Sequence, residues 1–255
     1  MDTPYFFHLS GKTALISGGL RGLGLHIAEA LDIQDTHLVI SAHHHDELRK
    51  TQSHLSSMNI EADWIVADNT INGNTEYLSE EAISKTGKID ILVNNAGIVS
   101  GATAEDHTVE GRDRMMNLNI RSHFLLTQII GKRRMIPRNC GKIINVASVA
   151  GLQGNIPSWL EGIAYSTSEG AMVNFTRALA GEWGEFNITV NVLAPGFFPS
   201  AMLRNLFSRL GTDFLAQRAP PGRIGDDKNL KGAAILFASN ASKYITGQIL
   251  VIDGE

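Results

Sequence analysis

The sequence predicts an α/β fold, a doubly wound parallel sheet in a single domain. Short, continuous apolar runs alternate with longer amphipathic stretches from one end of the chain to the other, the pattern of parallel strands covered by helices on both faces. A cluster of glycines closes the first apolar run and opens the first amphipathic stretch. The chain has 255 residues, 43% hydrophobic and 19% charged, with no repeat and no Pro- or Ser-rich linker to divide it. That is material for one sizeable core.

The elements follow in order. Thr13 to Ser17 reads as a strand ended by glycines, and Gly22 to Leu31 carries helical periodicity. His37 to Ser41 is a second strand, followed by a polar helix from about Asp46 to Met58. Ala62 to Ala67 is a third strand and Asn74 to Thr86 a helix; Asp90 to Val93 is a fourth strand. One long helix is expected over Val109 to Met135, a fifth strand over Lys142 to Ala147 and another long helix over Ile163 to Phe186. Thr189 to Leu193 and Gln248 to Ile252 complete the strands.

Composition narrows the function. The net charge of −4 offers no basic footprint for nucleic acid or an anionic membrane. No stretch approaches the length of a membrane span, and residues 1 to 12 lack the pattern of a signal peptide. The single cysteine, Cys140, excludes an internal disulfide and a cysteine-based metal cluster, and suits a reducing, cytoplasmic setting. His43, His44 and His45 are consecutive and point in different directions, so they read as a surface run, and no metal is expected.

The glycine cluster carries the first functional signal. Ser17-Gly18-Gly19-Leu20-Arg21-Gly22-Leu23-Gly24 joins the first strand to the first helix. Glycines there let the backbone approach a pyrophosphate, and the helix offers free N–H groups and the positive end of its dipole. In a strand-turn-helix context this predicts a Rossmann-type nucleotide site.

The spacing Gly-x-x-x-Gly-x-Gly, with further motifs in order, resembles the short-chain dehydrogenase/reductase family along the whole chain. Asn94-Asn95-Ala96-Gly97 follows the fourth strand, Asn119 lies in Met-Asn-Leu-Asn-Ile-Arg-Ser-His-Phe, Ser148 ends Ile-Ile-Asn-Val-Ala-Ser, and Tyr165 begins Tyr-Ser-Thr-Ser-Glu-Gly-Ala. Pro195-Gly196 follows the sixth strand. Within the family the chain looks most like the gluconate 5-dehydrogenase and 3-oxoacyl-carrier-protein reductase types.

The resemblance implies an oxidoreductase that moves a hydride between nicotinamide and a carbonyl or secondary alcohol: a sugar acid, a polyol or a 3-oxoacyl compound. It implies that Tyr165 handles the proton, Ser148 holds the substrate oxygen, and Asn119 supports a relay water. Cofactor contacts are expected from Gly18, Leu20, Arg21, Gly22, Leu23, Gly24 and His43, then from Asp68 and Asn69 near the adenine. Asn95, Ala96, Gly97, Tyr165, Pro195, Gly196 and Ser200 complete the set. Both NAD and NADP remain open. No acid stands at Ala42 to repel a 2′-phosphate, and Arg21 is in reach of one, which favours NADP. The family also implies a homodimer or, more readily, a homotetramer built through the two long helices and the last strand.

One position departs from the family. Four residues after Tyr165, where a lysine is usual, stands Glu169, on the same helical face. A carboxylate there raises the tyrosine pKa where a cation would lower it, so alcohol oxidation should suffer more than carbonyl reduction. It also leaves a second function in view, a nucleotide-binding protein acting as a sensor or assembly partner.

A substrate pocket is expected from Gly151 to Gly162 and from a lid around 197–222, with Trp159, Phe197, Phe198 and Met202 as an apolar wall and Arg204 meeting an acidic substrate. Met115, Met116, Met172 and Trp183 read as packing residues and Asp90 as a turn residue.

Overall fold

A computed structural model describes residues 6–43, 45–154 and 162–255, apart from the side chains of residues 46 and 47. Seven parallel strands form one sheet in the order β3-β2-β1-β4-β5-β6-β7. They are β1 (Thr13–Ser17), β2 (His37–Ala42), β3 (Ala62–Val66), β4 (Ile91–Asn94), β5 (Gly141–Val146), β6 (Ile188–Pro195) and β7 (Ile249–Ile252). The order reverses between β1 and β4, which opens a crevice at their carboxyl ends, where ligands bind in doubly wound folds.

Alternation along the strands builds two cores. Ala14 and Ile16 of β1 face helices α1 (Gly22–Asp32) and α9 (Lys231–Ala238), with Ile27, Leu31, Ala234 and Phe237. Leu15 between them faces the other layer, made by α3 (Asn74–Thr86), α5 (His123–Ile130) and α6 (Ile163–Trp183), with Leu78, Leu126 and Leu179. Every residue of β1 and of β6 is buried, as strands covered on both faces require. Two asparagines sit in register inside this apolar sheet. Asn94 donates to Asn145 Oδ1 at 2.8 Å and to Thr127 Oγ1 at 2.9 Å, and Asn145 donates to Thr176 Oγ1 at 2.7 Å. The pairing engages the Asn94 NH2 group and both ends of the Asn145 amide, and ties β4 and β5 to α5 and α6.

The predicted strands and main helices form within one to three residues of their expected ends. The long fourth helix does not run uninterrupted. It begins as α4 (Val109–Met116), widens into a π-helical turn at Asn117–Ser122, returns to α5, and widens again at Gly131–Met135. The first widening coincides with Asn119, whose carboxamide is pulled out of the helix to bind the chain after β4. The amphipathic period does not carry this information. The polar second helix, α2, covers His45–Ser57, two short helices, α7 (Arg204–Leu210) and α8 (Thr212–Ala216), follow β6, and α9 was not anticipated from the sequence. Asp90 is no exposed turn residue: it is 6% exposed and accepts from the Thr13 amide at 2.9 Å and from Arg138. Trp183 does pack against the second core, and a β-carbon on Gly131 would stand 2.1 Å from its ring.

Candidate active site

A cavity of about 600 Å³ opens over the carboxyl ends of the strands, from the β1–α1 turn to the segment after β6. Its floor at one end is the glycine turn. Gly18 adopts φ +70°, and a β-carbon there would lie 2.8 Å from Ala96 Cα. Asn95 clamps the turn from the β4 side, donating to the carbonyls of Ser17 at 3.2 Å and Gly18 at 2.8 Å, while its amide reaches Ser17 Oγ at 3.1 Å. The helix that follows starts from Arg21 in extended conformation, with no side-chain cap and no acid in its first turn. Its N–H groups and positive dipole end are therefore left to the cavity, the arrangement that accepts a phosphate.

Gly18, Leu20, Arg21, Gly22, Leu23 and His43 line this end, and Ala42 stands at the end of β2 without an acid. Asp68 and Asn69 line it from the β3 side. Burial pushes Asp68 up, but the Thr70 amide and hydroxyl, at 2.9 and 2.6 Å from Oδ1, outweigh that and hold the carboxyl below its usual range. Asn95, Ala96, Gly97, Pro195, Gly196 and Ser200 also line the cavity. Gly24 does not. A β-carbon on it would stand 2.4 Å from the Gly18 carbonyl oxygen, so its task is to let α1 pack on the turn. Arg114, on α4, lines the cavity and lies near enough to Asp68 to favour its charge. Nothing in the local sequence of α4 marks it, because the fold alone brings that helix over the crevice.

At the other end, the polar residues converge. Ser148 follows β5 in extended conformation, and its Oγ accepts from the Ala150 amide at 3.2 Å. Ser148 also hydrogen-bonds Tyr165, near the start of α6. Asn119 is 4% exposed, and its side chain is fully engaged. It accepts from the Ile98 amide at 3.0 Å and donates to the Ile98 carbonyl and Ser168 Oγ, each at 3.0 Å. Ser168 in turn donates to the Tyr165 carbonyl at 2.7 Å. The side chain of Asn119 thus joins the β4 loop to α6, within the cavity that also holds Ser148 and Tyr165.

Glu169 lines the same cavity and is 7% exposed. Burial pushes its carboxyl up to about 8. Burial thus favours the uncharged acid near neutral pH, with an O–H donor, and the ionised carboxylate raises Tyr165 as expected. Tyr165 is raised well above its ordinary value, first by burial, then by the Glu169 charge once that group ionises, with the Ser148 hydrogen bond acting the other way.

Two other expectations change. Arg204 lies outside this cavity, on a shallower groove of the outer surface with Pro199, Phe207 and Thr212. Met172 packs in the core behind β6 and also lines the cavity. Phe197, Phe198 and Met202 line the cavity as expected, but Trp159, like His44, falls outside the described residues.

The pattern of the short chain dehydrogenase family matches residues 12–211. Gluconate 5-dehydrogenase of Gluconobacter oxydans (strain 621H) is 36% identical over 257 residues, covering 100% of this chain and 98% of that one. A rhamnolipid-biosynthesis 3-oxoacyl-[acyl-carrier-protein] reductase of Pseudomonas aeruginosa is 34% identical over 257 residues, covering 98% of each. Among solved structures, a gluconate 5-dehydrogenase from Burkholderia cenocepacia J2315 in complex with NADP and tartrate superposes with a TM-score of 0.91 at 32% identity, covering 99% of this chain and 98% of that one. The chain belongs to the short-chain dehydrogenase family, and its relatives are dehydrogenases and reductases.

Proposed function

We propose that the protein is an NADP(H)-preferring oxidoreductase that interconverts a carbonyl and a secondary alcohol on small oxygenated acids of the sugar-acid class, with polyols and 3-oxoacyl compounds as the neighbouring substrate classes. The carrying observation is the Ser148–Tyr165 pair, set in one cavity with a glycine turn and an uncapped helix N-terminus. That turn and helix fit a dinucleotide: Gly18 allows close approach of a phosphate, and Asp68 stays ionised to accept from the adenine side. Arg21, in the β1–α1 turn, supplies a positive charge, and the end of β2, where His43 lines the cavity, carries no acid to exclude a 2′-phosphate.

Tyr165 holds the transferable proton on Oη, and Ser148 Oγ is placed to hydrogen-bond the same substrate oxygen. With its pKa raised, Tyr165 remains an acid across the physiological range, which suits protonation of a carbonyl being reduced. A bound nicotinamide supplies the hydride. Neutral Glu169 presents a donor and an acceptor to the ribose hydroxyls in place of an ammonium. Phe197, Met202 and Leu206 form the apolar inner face of a lid around 197–222, while Gln153 and Ser148 provide polar contacts.

No helix among the described residues is long and apolar enough to cross a membrane. We place the protein in the cytoplasm as a homotetramer, or failing that a homodimer. Exposed Val109, Phe124 and Ile163 on the central helices, and Val251 on the last strand, support that assembly.

The test is turnover of a keto sugar acid, a ketose and a 3-oxoacyl thioester with NADPH and NADH. NADPH-dependent reduction of the keto sugar acid is expected. Tight NADP(H) binding with no turnover of any of the three would favour the sensor or assembly role instead.

A further inference from the structure

The glycine turn is held from α2 as well as from β4. Thr51, in the middle of α2, donates its hydroxyl to the main-chain carbonyl of Leu20 at 2.8 Å, across 31 residues of chain. Thr51 is 8% exposed, so the bond is shielded from water. Leu48 and Leu55, three residues before and four after, are buried on the same helical face. Leu48 packs with Leu20, Ala42 and Trp64. An otherwise polar helix thus buries one stripe, and the middle of that stripe is a hydroxyl bonded to the turn. Packing alone would be served by a valine, which has the same branched shape and no donor.

The bond acts on the turn through one peptide plane. The described residues contain no cis peptide bond, so the Leu20 C=O and the Arg21 N–H lie antiparallel in one plane. With the carbonyl drawn toward α2, the N–H is turned away from that helix. Arg21 then opens α1 as its extended N-cap, and Leu20, Arg21, Gly22 and Leu23 line the cavity. Removing the hydroxyl takes this partner from a buried carbonyl, and the plane is then free to rotate toward water. One turn further along α2, His54 meets Glu29 of α1 at 3.3 Å, so α2 is also joined to the helix that the turn opens.

We propose that Thr51 is a positioning residue for the dinucleotide. Its hydroxyl sets the Leu20–Arg21 peptide plane, and with it the Arg21 N–H and the first turn of α1, which receive the diphosphate. Thr51 does not itself line the cavity. The inference rests on the dinucleotide reading of that cavity.

The experiment uses the full chain: the parent, Thr51→Val, which keeps the shape and loses the donor, and Thr51→Ser, which keeps the donor. NADP⁺ and NAD⁺ binding are measured by calorimetry and reduction by steady-state kinetics in NADPH. The Arg21 amide of the apo protein is followed by ¹⁵N-arginine labelling, its signal identified by its loss in Arg21→Ala. Thr51→Val should bind NADP⁺ and NAD⁺ about tenfold more weakly alike, because both carry the diphosphate and one buried hydrogen bond is lost. KM for NADPH should rise by the same factor with kcat at saturation unchanged, and the apo Arg21 amide signal should move. Thr51→Ser should recover most of each change. If Thr51→Val does not fold, Thr51→Ala takes its place under the same expectations. A variant that melts lower yet binds both cofactors as the parent does shows a purely structural role and overturns the proposal. A Ser variant no better than Val, a loss confined to NADP⁺, or a fall in kcat with parental cofactor affinity overturns it as well. A parent that binds neither dinucleotide overturns the reading on which this role rests.

Discussion

Gly151 presses against the main chain of Glu169: a β-carbon on it would stand 2.5 Å from the Glu169 carbonyl carbon and 2.7 Å from the Gly170 nitrogen. The turn that carries Ser148 and the helix that carries Tyr165 meet at this glycine, so their spacing is set by its missing side chain. Gly151→Ala should push α6 away and lengthen the Ser148–Tyr165 approach. Expected are a loss of roughly 1–3 kcal/mol in stability, as overpacking costs, and a fall in kcat of at least tenfold. Thermal melts and steady-state rates check both, and an alanine variant with parental kcat would refute the spacing argument.

Glu169 makes stability depend on pH. Its carboxyl titrates near 8 when folded, above the ordinary 4.5. The folded state therefore holds an extra proton between those values, and this contribution is full below 4.5 and lost as pH rises through 8. Glu169→Gln keeps the shape and cannot ionise. The two proteins should melt within about 1 kcal/mol of each other at pH 5, and at pH 9 the Gln variant should be more stable by up to about 5 kcal/mol, or roughly 10–20 °C. Equal melting at pH 9 would mean the acid ionises freely where it lies.

Glu169→Lys puts a cation one helical turn from Tyr165. It should lower the tyrosine pKa and speed alcohol oxidation by roughly a hundredfold or less, within the range of general acid–base effects. Carbonyl reduction should change less, because it uses the protonated tyrosine. A pH–rate profile in both directions decides the matter, and the parent should need higher pH for oxidation.

Gly18→Ala places a β-carbon 2.8 Å from Ala96 Cα at a φ of +70°. Both the clash and the backbone strain oppose it. NADP⁺ binding should fall at least tenfold in calorimetry. Arg21→Ala should leave NAD⁺ affinity nearly unchanged and reduce NADP⁺ affinity by about tenfold, the scale of one charge-assisted hydrogen bond. Parallel losses for both cofactors would show that Arg21 does not face the 2′-phosphate.

The rings of Phe124 and Phe175 lie 5.7 Å apart between the central helices, and Phe124 is 46% exposed. Buried against a second subunit, it would be an anchor of the interface. Light scattering at micromolar concentration should give a tetramer, and Phe124→Glu should give smaller species. A monomeric parent would remove the assembly proposal.

The strands, most of the helices and the glycine turn were legible in the sequence, because each rests on local physics. Apolar runs name buried strands, a 3.6-residue period names covered helices, and a glycine cluster between the two names a turn that a phosphate can approach. Ser148, Tyr165 and Glu169 were legible by motif and helical spacing. Arg114 and Thr51 were not, because a lone charged or hydroxyl side chain in a helix carries no local signature of the site it will serve. Thr51 did leave a trace, a hydroxyl between Leu48 and Leu55 on one helical face, but that spacing acquires meaning only once α2 is known to lie against the glycine turn.

By itself, then, the sequence determined the layers, the order of elements and which residue types stand at the chain's functional turns. The tertiary structure alone decided their chemical state. Glu169 would ionise freely in an exposed helix, and here burial in the cavity pushes its carboxyl up and favours the neutral acid. Asn119 reads as a catalytic polar group, and only the fold shows that its side chain also ties the β4 loop to α6 where the helix widens. Arg204 reads as a substrate contact and lies outside the cavity, because the segment after β6 turns it to the outer surface. Desolvation and partner choice depend on what the rest of the chain brings alongside, and no window of the sequence contains that.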